Sequence, residues 1–238
     1  MSLNSYIDQT NLNTNLHRKD IDKLIKTAIQ YRFKGLCIDP GWVVHAKQKL
    51  VGTGIQVVTV PNWGVGKGLR QLNELSCKAA DEVDYIWDVM SFVMKSPKDR
   101  DYQTVEEEFK QIRNKVPKVL KIIVECSFMR LSCKRDKVSY KGLLSDICQL
   151  VQKSKADWIK TDSGLFKRPD FKILDKTSTM TVPPIENLYE DVRLMKQFCK
   201  LPIKAAGGIR TKVEVEELIH YGAKRIGTSQ GVEIVMEK

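Results

Sequence analysis

The chain has 238 residues, of which 42% are hydrophobic and 29% charged, and no apolar run approaches the ~18 residues that a membrane-spanning helix needs. The net charge of +11 suits nucleic acid, an anionic membrane or a phosphorylated substrate, but the basic residues are spread along the chain, with no basic helix and no zinc-finger spacing. We therefore expect neither nucleic acid nor a membrane as partner, and favour a small anionic substrate.

Taken in chain order, short apolar stretches alternate with stretches of helical spacing. The predicted strands are Tyr6–Asp8, Leu36–Ile38, Ile55–Val60, Val83–Trp87, Val119–Val124, Trp158–Thr161, Ile203–Ala205 and Arg225–Thr228. The predicted helices begin at Ile21, Gly41, Gly68, Thr104, Lys141, Ile185 and Thr211, and the forms Thr104-x-x-Glu107 and Thr211-x-x-Glu214 each suggest a capping box. The interval 162–184 is predicted to be an active-site loop.

Eight strands that alternate with helices predict a parallel sheet, and this number favours a single-domain (β/α)8 barrel over residues 1–238. The alternative, an open doubly wound sheet, is less favoured because no Gly-x-Gly-x-x-Gly follows the first strand. In a barrel the active site lies at the carboxyl ends of the strands.

Polar residues interrupt several of these apolar strands. We expect Asp84, Lys121, Glu125, Lys160 and Lys204 to lie at the carboxyl ends of strands four to seven, facing the barrel axis. Buried charges are costly unless they pair, so Asp84 is expected to pair with the lysines. Whether Asp84 also transfers protons stays open at this point.

Glycine turns follow the last two strands, where barrels commonly bind phosphate. Glycine lets backbone N–H groups approach an anion, and an arginine and hydroxyl groups add further donors. The candidate phosphate-binding residues are Gly207, Gly208, Arg210, Gly227, Thr228 and Ser229.

Lys160 and Lys204 lie on neighbouring predicted strands, which suggests amine chemistry. At roughly 6 Å and an effective dielectric of about 20, two ammonium groups repel by about 2.8 kcal/mol, near two pKa units. Partial desolvation adds about one unit, so one amine is predicted to have a pKa of about 7–7.5. Such an amine can form a Schiff base with a carbonyl substrate.

The cysteines and histidines do not form a metal-ligand pattern. The six cysteines contain no Cys-x-x-Cys pair and the three histidines are far apart, so we expect neither a metal nor another cofactor. Scattered free thiols and the absence of a secretory signal order at the N-terminus indicate a cytoplasmic protein.

Four segments, spread over a chain that matches from about Tyr6 to Gly231, resemble the deoxyribose-phosphate aldolase family. They are Ala80–Asp84, Ile159–Gly164, Ile203–Thr211 and Gly222–Ser229. The resemblance implies a (β/α)8 barrel that reversibly cleaves 2-deoxy-D-ribose 5-phosphate into D-glyceraldehyde 3-phosphate and acetaldehyde. It also implies a homo-oligomer, either a dimer or a tetramer.

The matching positions imply roles for individual residues. Lys160 would form the Schiff base, Lys204 would lower the pKa of Lys160, and Asp84 would be the acid/base partner. The remaining matches imply substrate contacts at Ser163, Gly164, Gly207, Gly208, Gly227 and Ser229, and in the pocket at Cys37.

The chain departs from the family pattern at several positions. Asp162 replaces the serine after Lys-Thr and is expected to place a carboxylate beside the phosphate site. Asp88 replaces an asparagine, Gln9 a histidine and Val60 a phenylalanine, and the C-terminus lacks a tyrosine. Two alternatives therefore stay open: a barrel enzyme that acts on a different aldehyde, and a non-catalytic relative that binds phosphate.

Overall fold

Eight parallel strands form a closed barrel in the computed structural model, which describes residues 2–63, 69, 72–164 and 184–237. Each strand pairs with the next along the chain, and the last pairs with the first. The strands are β1 (Ile7–Asn11), β2 (Gly35–Ile38), β3 (Gln56–Thr59), β4 (Glu82–Ile86), β5 (Val119–Ile123), β6 (Trp158–Lys160), β7 (Ile203–Ala206) and β8 (Ala223–Thr228). The predicted (β/α)8 barrel is confirmed.

Helices follow the strands and cover the outside of the barrel. Those within the described residues are α1 (Arg18–Tyr31), α2 (Val43–Lys49), α3 (Glu74–Ala79), α4 (Val89–Val93), α5 (Tyr102–Lys115), α6 (Cys126–Asp136), α7 (Tyr140–Lys153), α8 (Ile185–Phe198), α9 (Lys212–Tyr221) and α10 (Gly231–Met236). Short 3-10 helices occupy Leu3–Tyr6, Pro40–Trp42 and Pro97–Asp99. No helix in these ranges has the length and the apolar character needed to cross a bilayer.

The buried apolar side chains form two clusters. The larger lies between the strands and the helices and includes Leu120 and Ile122 of β5. The smaller lies inside the barrel and includes Cys37, Val58 and Ile123. Because side chains alternate along a strand, β5 sends Lys121 and Ile123 to the axis and its leucine and other isoleucine to the helices.

Local hydrogen bonds move several predicted boundaries. Tyr6, expected in a strand, closes a 3-10 helix. Helix α3 begins at Glu74, where Asn73 caps it by accepting from the Ser76 N–H, and its predicted start at residue 68 lies outside the described residues. The predicted capping box at Thr104 is wrong: Asp101 caps α5 and accepts a hydrogen bond from the Thr104 N–H. The box predicted at the start of α9 is confirmed.

Three helices, α4, α6 and α10, were not predicted from the sequence. Their stretches are short, or carry apolar and charged residues on all sides, so the periodic signal is weak. Of the predicted loop 162–184, residues 165–183 lie outside the described residues.

The charged residues of the strands reach deeper into the barrel than predicted. Asp84 and Lys121 pair in register at the middle of β4 and β5, not at the carboxyl ends. Lys160 is the last residue of β6 and pairs in register with Lys204 of β7. The strands β4, β5 and β7 continue past their charged residues, whereas Lys160 lies at the carboxyl end of β6 as predicted.

Two glycines make room for these side chains. A Cβ atom on Gly35 of β2 would collide with the carboxylate of Asp8, its register partner on β1. A Cβ atom on Gly227 of β8 would lie 3.1 Å from Cε of Lys204. The absence of side chains at both positions leaves space for charged groups in the barrel interior.

Candidate active site

The centre of the site is the Asp84 carboxylate, which binds three ammonium groups. Its Oδ2 atom accepts hydrogen bonds of 2.8 Å from Nζ of both Lys160 and Lys204. Its Oδ1 atom accepts one of 2.9 Å from Nζ of Lys121. The Lys160 and Lys204 nitrogens contact the same oxygen, so they are close neighbours on one side of the sheet, as the sequence predicts.

Charge pairing controls the ionisation of this group. Burial raises the pKa of Asp84, but Lys121, Lys160 and Lys204 lower it more, so the pKa of Asp84 lies well below its usual value. Burial lowers the pKa of Lys204, but the carboxylates of Asp8 and Asp84 raise it more. Asp84 is therefore an anion and Lys204 a cation at neutral pH.

Three further charged residues contact this centre and were not singled out as site residues from the sequence. Asp8 accepts a 2.5 Å hydrogen bond from Lys204 and one of 2.7 Å from Nη1 of Arg225. Glu82 lies 2.6 Å from Nζ of Lys121 and 3.1 Å from Nη1 of Arg225. The available signal was a charged residue inside a predicted strand, but β1 and β8 carry other polar residues as well, which weakens this signal for Asp8 and Arg225.

A cavity of 610 Å³ opens above Lys160 at the carboxyl ends of β6, β7 and β8. The predicted phosphate-binding residues line this cavity together with Thr10 and Gln230: they are Ser163, Gly164, Gly207, Gly208, Arg210, Gly227, Thr228 and Ser229. Gly207 and Gly208 have φ angles of +110° and +79°, which favour glycine. The tertiary structure thus brings Lys160 and the two glycine turns to one cavity.

Side chains fix the two glycine turns relative to each other. Thr228 Oγ1 donates 2.7 Å to the Ile209 carbonyl and accepts 3.0 Å from the Gln230 N–H. The Gln9 amide donates to the Ser229 carbonyl and accepts from the Gly231 N–H, at 3.0 Å each. Glutamine at position 9 therefore has a structural use, since it holds the loop after β8 in place.

Glu125 lies directly after β5 with its carboxylate accepting from the Ser163 N–H at 3.2 Å. Burial and, second, the nearby Asp162 carboxylate raise the pKa of Glu125 to about 8. Glu125 has a positive φ of 59°, an uncommon conformation for a residue other than glycine. It connects the end of β5 to the segment that follows Lys160.

Asp162 does not point into the 610 Å³ cavity. Its Oδ1 atom accepts 3.1 Å from the Ser127 N–H in the first turn of α6, where a helix favours negative charge. It lines a separate cavity of 230 Å³, which shares Gly207, Gly208 and Arg210 with the larger one. The carboxylate thus lies next to the glycine turn after β7 but outside the described walls of the larger cavity.

The remaining sequence-predicted residues lie outside the described walls of the cavity. Lys121 and Cys37 are fully buried in the barrel interior and are absent from the described cavity walls. Burial raises the pKa of the Cys37 thiol to about 11, so this thiol is neutral at pH 7. Val60 belongs to the inner apolar cluster, and Asp88 caps α4. Within the described residues no group of histidine, cysteine and acidic side chains is arranged to hold a metal ion.

The chain is similar to known proteins in sequence and in fold. No protein-family model matches the sequence. A deoxyribose-phosphate aldolase of Metamycoplasma hominis is 35% identical over 229 residues, which cover 93% of this chain and 91% of that protein. A deoxyribose-phosphate aldolase of Streptococcus pneumoniae serotype 19F is 32% identical over 243 residues, covering 99% of this chain and 96% of that protein.

Solved structures share the fold. The aldolase QR15 has 26% identity and a TM-score of 0.75, with 99% of this chain and 95% of that chain covered. A deoxyribose phosphate aldolase from Aeropyrum pernix, described as a unique tetrameric structure, has 20% identity and a TM-score of 0.75, with 98% of this chain and 89% of that chain covered. The chain belongs to the deoxyribose-phosphate aldolase family.

Proposed function

We propose that this member of the deoxyribose-phosphate aldolase family reversibly cleaves 2-deoxy-D-ribose 5-phosphate through a Schiff base on Lys160. The products would be D-glyceraldehyde 3-phosphate and acetaldehyde, in line with the activity named for its relatives. The observation that carries the proposal is the position of Lys160, whose amine contacts Asp84 and whose side chain lines the 610 Å³ cavity.

Three buried amines surround Asp84, and two observations favour Lys160 as the nucleophile. The side chains of Lys121 and Lys204 have no exposed surface, whereas that of Lys160 is 4% exposed and reaches the cavity. Among the described residues, Lys121 and Lys204 each contact two carboxylates and Lys160 contacts one. Lys160 is thus the most accessible of the three and has the fewest carboxylate contacts among the described residues.

The chemistry follows from an unprotonated amine at this position. The Lys160 nitrogen attacks C1 of the open-chain aldehyde, and the carbonyl oxygen leaves as water, which produces an iminium ion. Removal of the C3 hydroxyl proton breaks the C2–C3 bond, the electron pair moves to C2, and D-glyceraldehyde 3-phosphate leaves. The resulting enamine takes up a proton at C2, and hydrolysis releases acetaldehyde and the free amine.

Asp84 has a charge-stabilising role in this scheme. The iminium ion carries the positive charge that the ammonium ion carried, so the Asp84 carboxylate that contacts Lys160 would stabilise the iminium ion as well. Because its pKa is well below the usual value, Asp84 is a weak base and would take up a proton only transiently. Lys204, held as a cation by Asp8 and Asp84, is the nearest acid to the reacting nitrogen.

The glycine turns after β7 and β8 would bind the phosphate. They offer backbone N–H groups, the hydroxyl groups of Thr228 and Ser229 and the guanidinium of Arg210 in the same cavity that Lys160 lines. A sugar that spans the cavity can therefore place its phosphate at these turns and its aldehyde at the amine. The small-molecule partner is a phosphorylated sugar.

Borohydride trapping tests the proposal. Incubation with deoxyribose 5-phosphate and borohydride should reduce the iminium ion and add a two-carbon unit to the peptide that contains Lys160, as read by mass spectrometry. Lys160→Ala should lose both the adduct and the retro-aldol rate, whereas Lys47→Ala, which removes a partly exposed lysine paired with Asp81, should keep both. An adduct on another lysine, or a rate that persists in Lys160→Ala, would contradict the assignment.

A substrate panel separates the alternatives. Faster turnover of another aldehyde than of deoxyribose 5-phosphate would favour the barrel enzyme of different specificity. Phosphate-sugar binding without any turnover would favour the non-catalytic relative.

We also propose a cytoplasmic homo-oligomer. The six cysteines are free thiols, as expected of a reducing compartment, and one related structure is described as tetrameric. Light scattering coupled to gel filtration should give the mass of a dimer or a tetramer, and a monomer at micromolar concentration would contradict this.

A further inference from the structure

The ion pairs inside the barrel close into a ring. Each member contacts an oppositely charged neighbour on either side, and carboxylates alternate with cations. The order around the ring is Asp84, Lys204, Asp8, Arg225, Glu82, Lys121 and again Asp84. We refer to these six residues as the charge ring.

The charge ring is neutral in itself. Its three carboxylates balance three cations, and none of the six residues is more than 5% exposed. Lys160 is attached to the ring through Asp84 and brings one additional positive charge. Because buried charge without a counter-charge is unfavourable, the amine outside the ring is the one whose proton is least stabilised.

We propose that Arg225 and Glu82 are positioning residues of the aldolase reaction. They close the charge ring, so that Lys160 is the amine that releases its proton. The proposal rests on the proposed function and adds two residues that do not contact Lys160 directly among the described contacts. Neither residue lines the described walls of the 610 Å³ cavity. Arg225 acts through Asp8, which contacts Lys204, and Glu82 acts through Lys121, which contacts Asp84.

Arg225 is bound on several sides. Its Nη1 atom donates to Asp8 at 2.7 Å and to Glu82 at 3.1 Å, and its Nη2 atom donates to Glu82 at 3.3 Å. The guanidinium carbon lies 5.3 Å from the ring centroid of Trp158, which gives a cation–π contact. Burial lowers the pKa of Arg225, but Asp8 and Glu82 raise it more, so the ring keeps this charge at every working pH.

Among the described residues, two further titratable groups lie near Lys160, one of which also lies near members of the charge ring. Cys37 of β2 lies near Lys204, Asp84 and Lys160, and its thiol is neutral because burial raises its pKa to about 11. Glu125, after β5, lies near Lys160, and with a pKa of about 8 it is mostly neutral at pH 7. Neither balances the additional charge of Lys160 at neutral pH.

Removal of one charged group from the ring should change the pH dependence in a direction set by its sign. Without Arg225, the three carboxylates need the Lys160 ammonium as counter-ion, so proton release becomes harder. Without the Glu82 charge, the excess of positive charge grows, so proton release becomes easier. At an effective dielectric of about 20 and a separation of roughly 10 Å, one charge moves a titration by about one pH unit.

The experiment measures kcat/KM for the retro-aldol reaction against pH. Arg225→Met should move the acidic limb of the profile up by about one pH unit, and Glu82→Gln should move it down by about the same amount. The double variant removes one charge of each sign, so its limb should return to the wild-type position. Arg225→Lys keeps the charge and should leave the limb in place, as should Arg193→Met at an exposed position of α8.

The outcomes separate charge from structure. Opposite shifts in the two single variants, with recovery in the double variant, support the proposal. If Arg225→Met alone is too unstable to assay, a downward shift in Glu82→Gln that is reversed in the double variant supports it. A fall in rate with an unmoved limb, or shifts of the same sign, would overturn it. A wild-type protein without retro-aldol activity would instead overturn the proposed function, and the pH dependence of borohydride-trapped acetaldehyde on Lys160 would then test the charge ring independently.

Discussion

The substitution Gly35→Ala tests how tightly the barrel interior is packed around Asp8. The added Cβ atom would collide with the Asp8 carboxylate and lie 3.2 Å from Cγ2 of Val58. The carboxylate cannot move away freely, because it binds Lys204 on one side and Arg225 on the other.

The expected loss of stability can be worked out from these contacts. Overpacking of a close-packed interior costs about 1–3 kcal/mol. Complete loss of a partner from a buried ion pair costs about 3–5 kcal/mol, but a displaced Asp8 would keep part of its contacts. Alanine restricts the unfolded chain and returns about 0.4–1 kcal/mol. We therefore expect the free energy of unfolding to fall by about 2 kcal/mol, near the middle of these values.

The matched control is Gly142→Ala in the first turn of α7. Gly142 is exposed, and the nearest atom to its added Cβ would be Oγ of Ser139 at 3.5 Å, which is an ordinary contact. Replacement of glycine by alanine in a helix stabilises it by about 0.5–1 kcal/mol. The same chemical change should therefore have opposite effects at the two positions.

Thermal and urea unfolding monitored by circular dichroism measure both effects. For a protein of this length each kcal/mol moves Tm by about 2–4 °C, so we expect Gly35→Ala to lower Tm by about 4–8 °C and Gly142→Ala to raise it by about 1–4 °C. Equal or higher stability of Gly35→Ala than of the wild type, with Gly142→Ala as expected, would refute the packing argument.

Three further substitutions probe the cavity walls and their supports. Thr228→Val removes the hydrogen bond to the Ile209 carbonyl and should lower the free energy of unfolding by about 1–2 kcal/mol. KM for deoxyribose 5-phosphate should rise more than KM for unphosphorylated deoxyribose. Equal changes in the two KM values would contradict a role in phosphate binding. Glu125 binds its proton more tightly when folded, with a pKa of about 8, than when unfolded, so its contribution to stability is complete below about pH 4.5 and is lost as pH rises to about 8. Glu125→Gln should therefore gain stability relative to the wild type as pH rises from 5 to 8 in urea titrations, and a constant difference would count against the raised pKa. Asp162→Ala should lower the free energy of unfolding by about 1 kcal/mol, because the contact with the Ser127 N–H is lost, while KM stays close to the wild-type value. A large fall in KM would mean that this carboxylate repels the phosphate.

Local sequence signals predicted those parts of the fold that depend on periodicity and on turn residues. Alternation of apolar strands with helical spacing was sufficient for the barrel, because each βα unit buries its apolar face in the same way. The signals failed where one hydrogen bond decides a boundary, as at Asn73 and Asp101, whose side chains cap α3 and α5. Such a cap competes with equally good candidates a few residues away, and propensity alone does not rank them.

The sequence determined the kinds of group at the site, and the tertiary structure decided their partners. Inward lysines followed by glycine turns were sufficient to predict amine chemistry beside a phosphate site, because buried charge in an apolar strand needs a reason. Asp8 and Arg225 lie 217 residues apart along the chain, and only closure of the barrel between β1 and β8 brings them into contact. The order of strands in the sequence reveals only that Lys160 and Lys204 are neighbours that repel each other. In the folded barrel Lys204 also belongs to a ring of alternating charges, because electrostatic energy depends on distances in space and not on order in the chain.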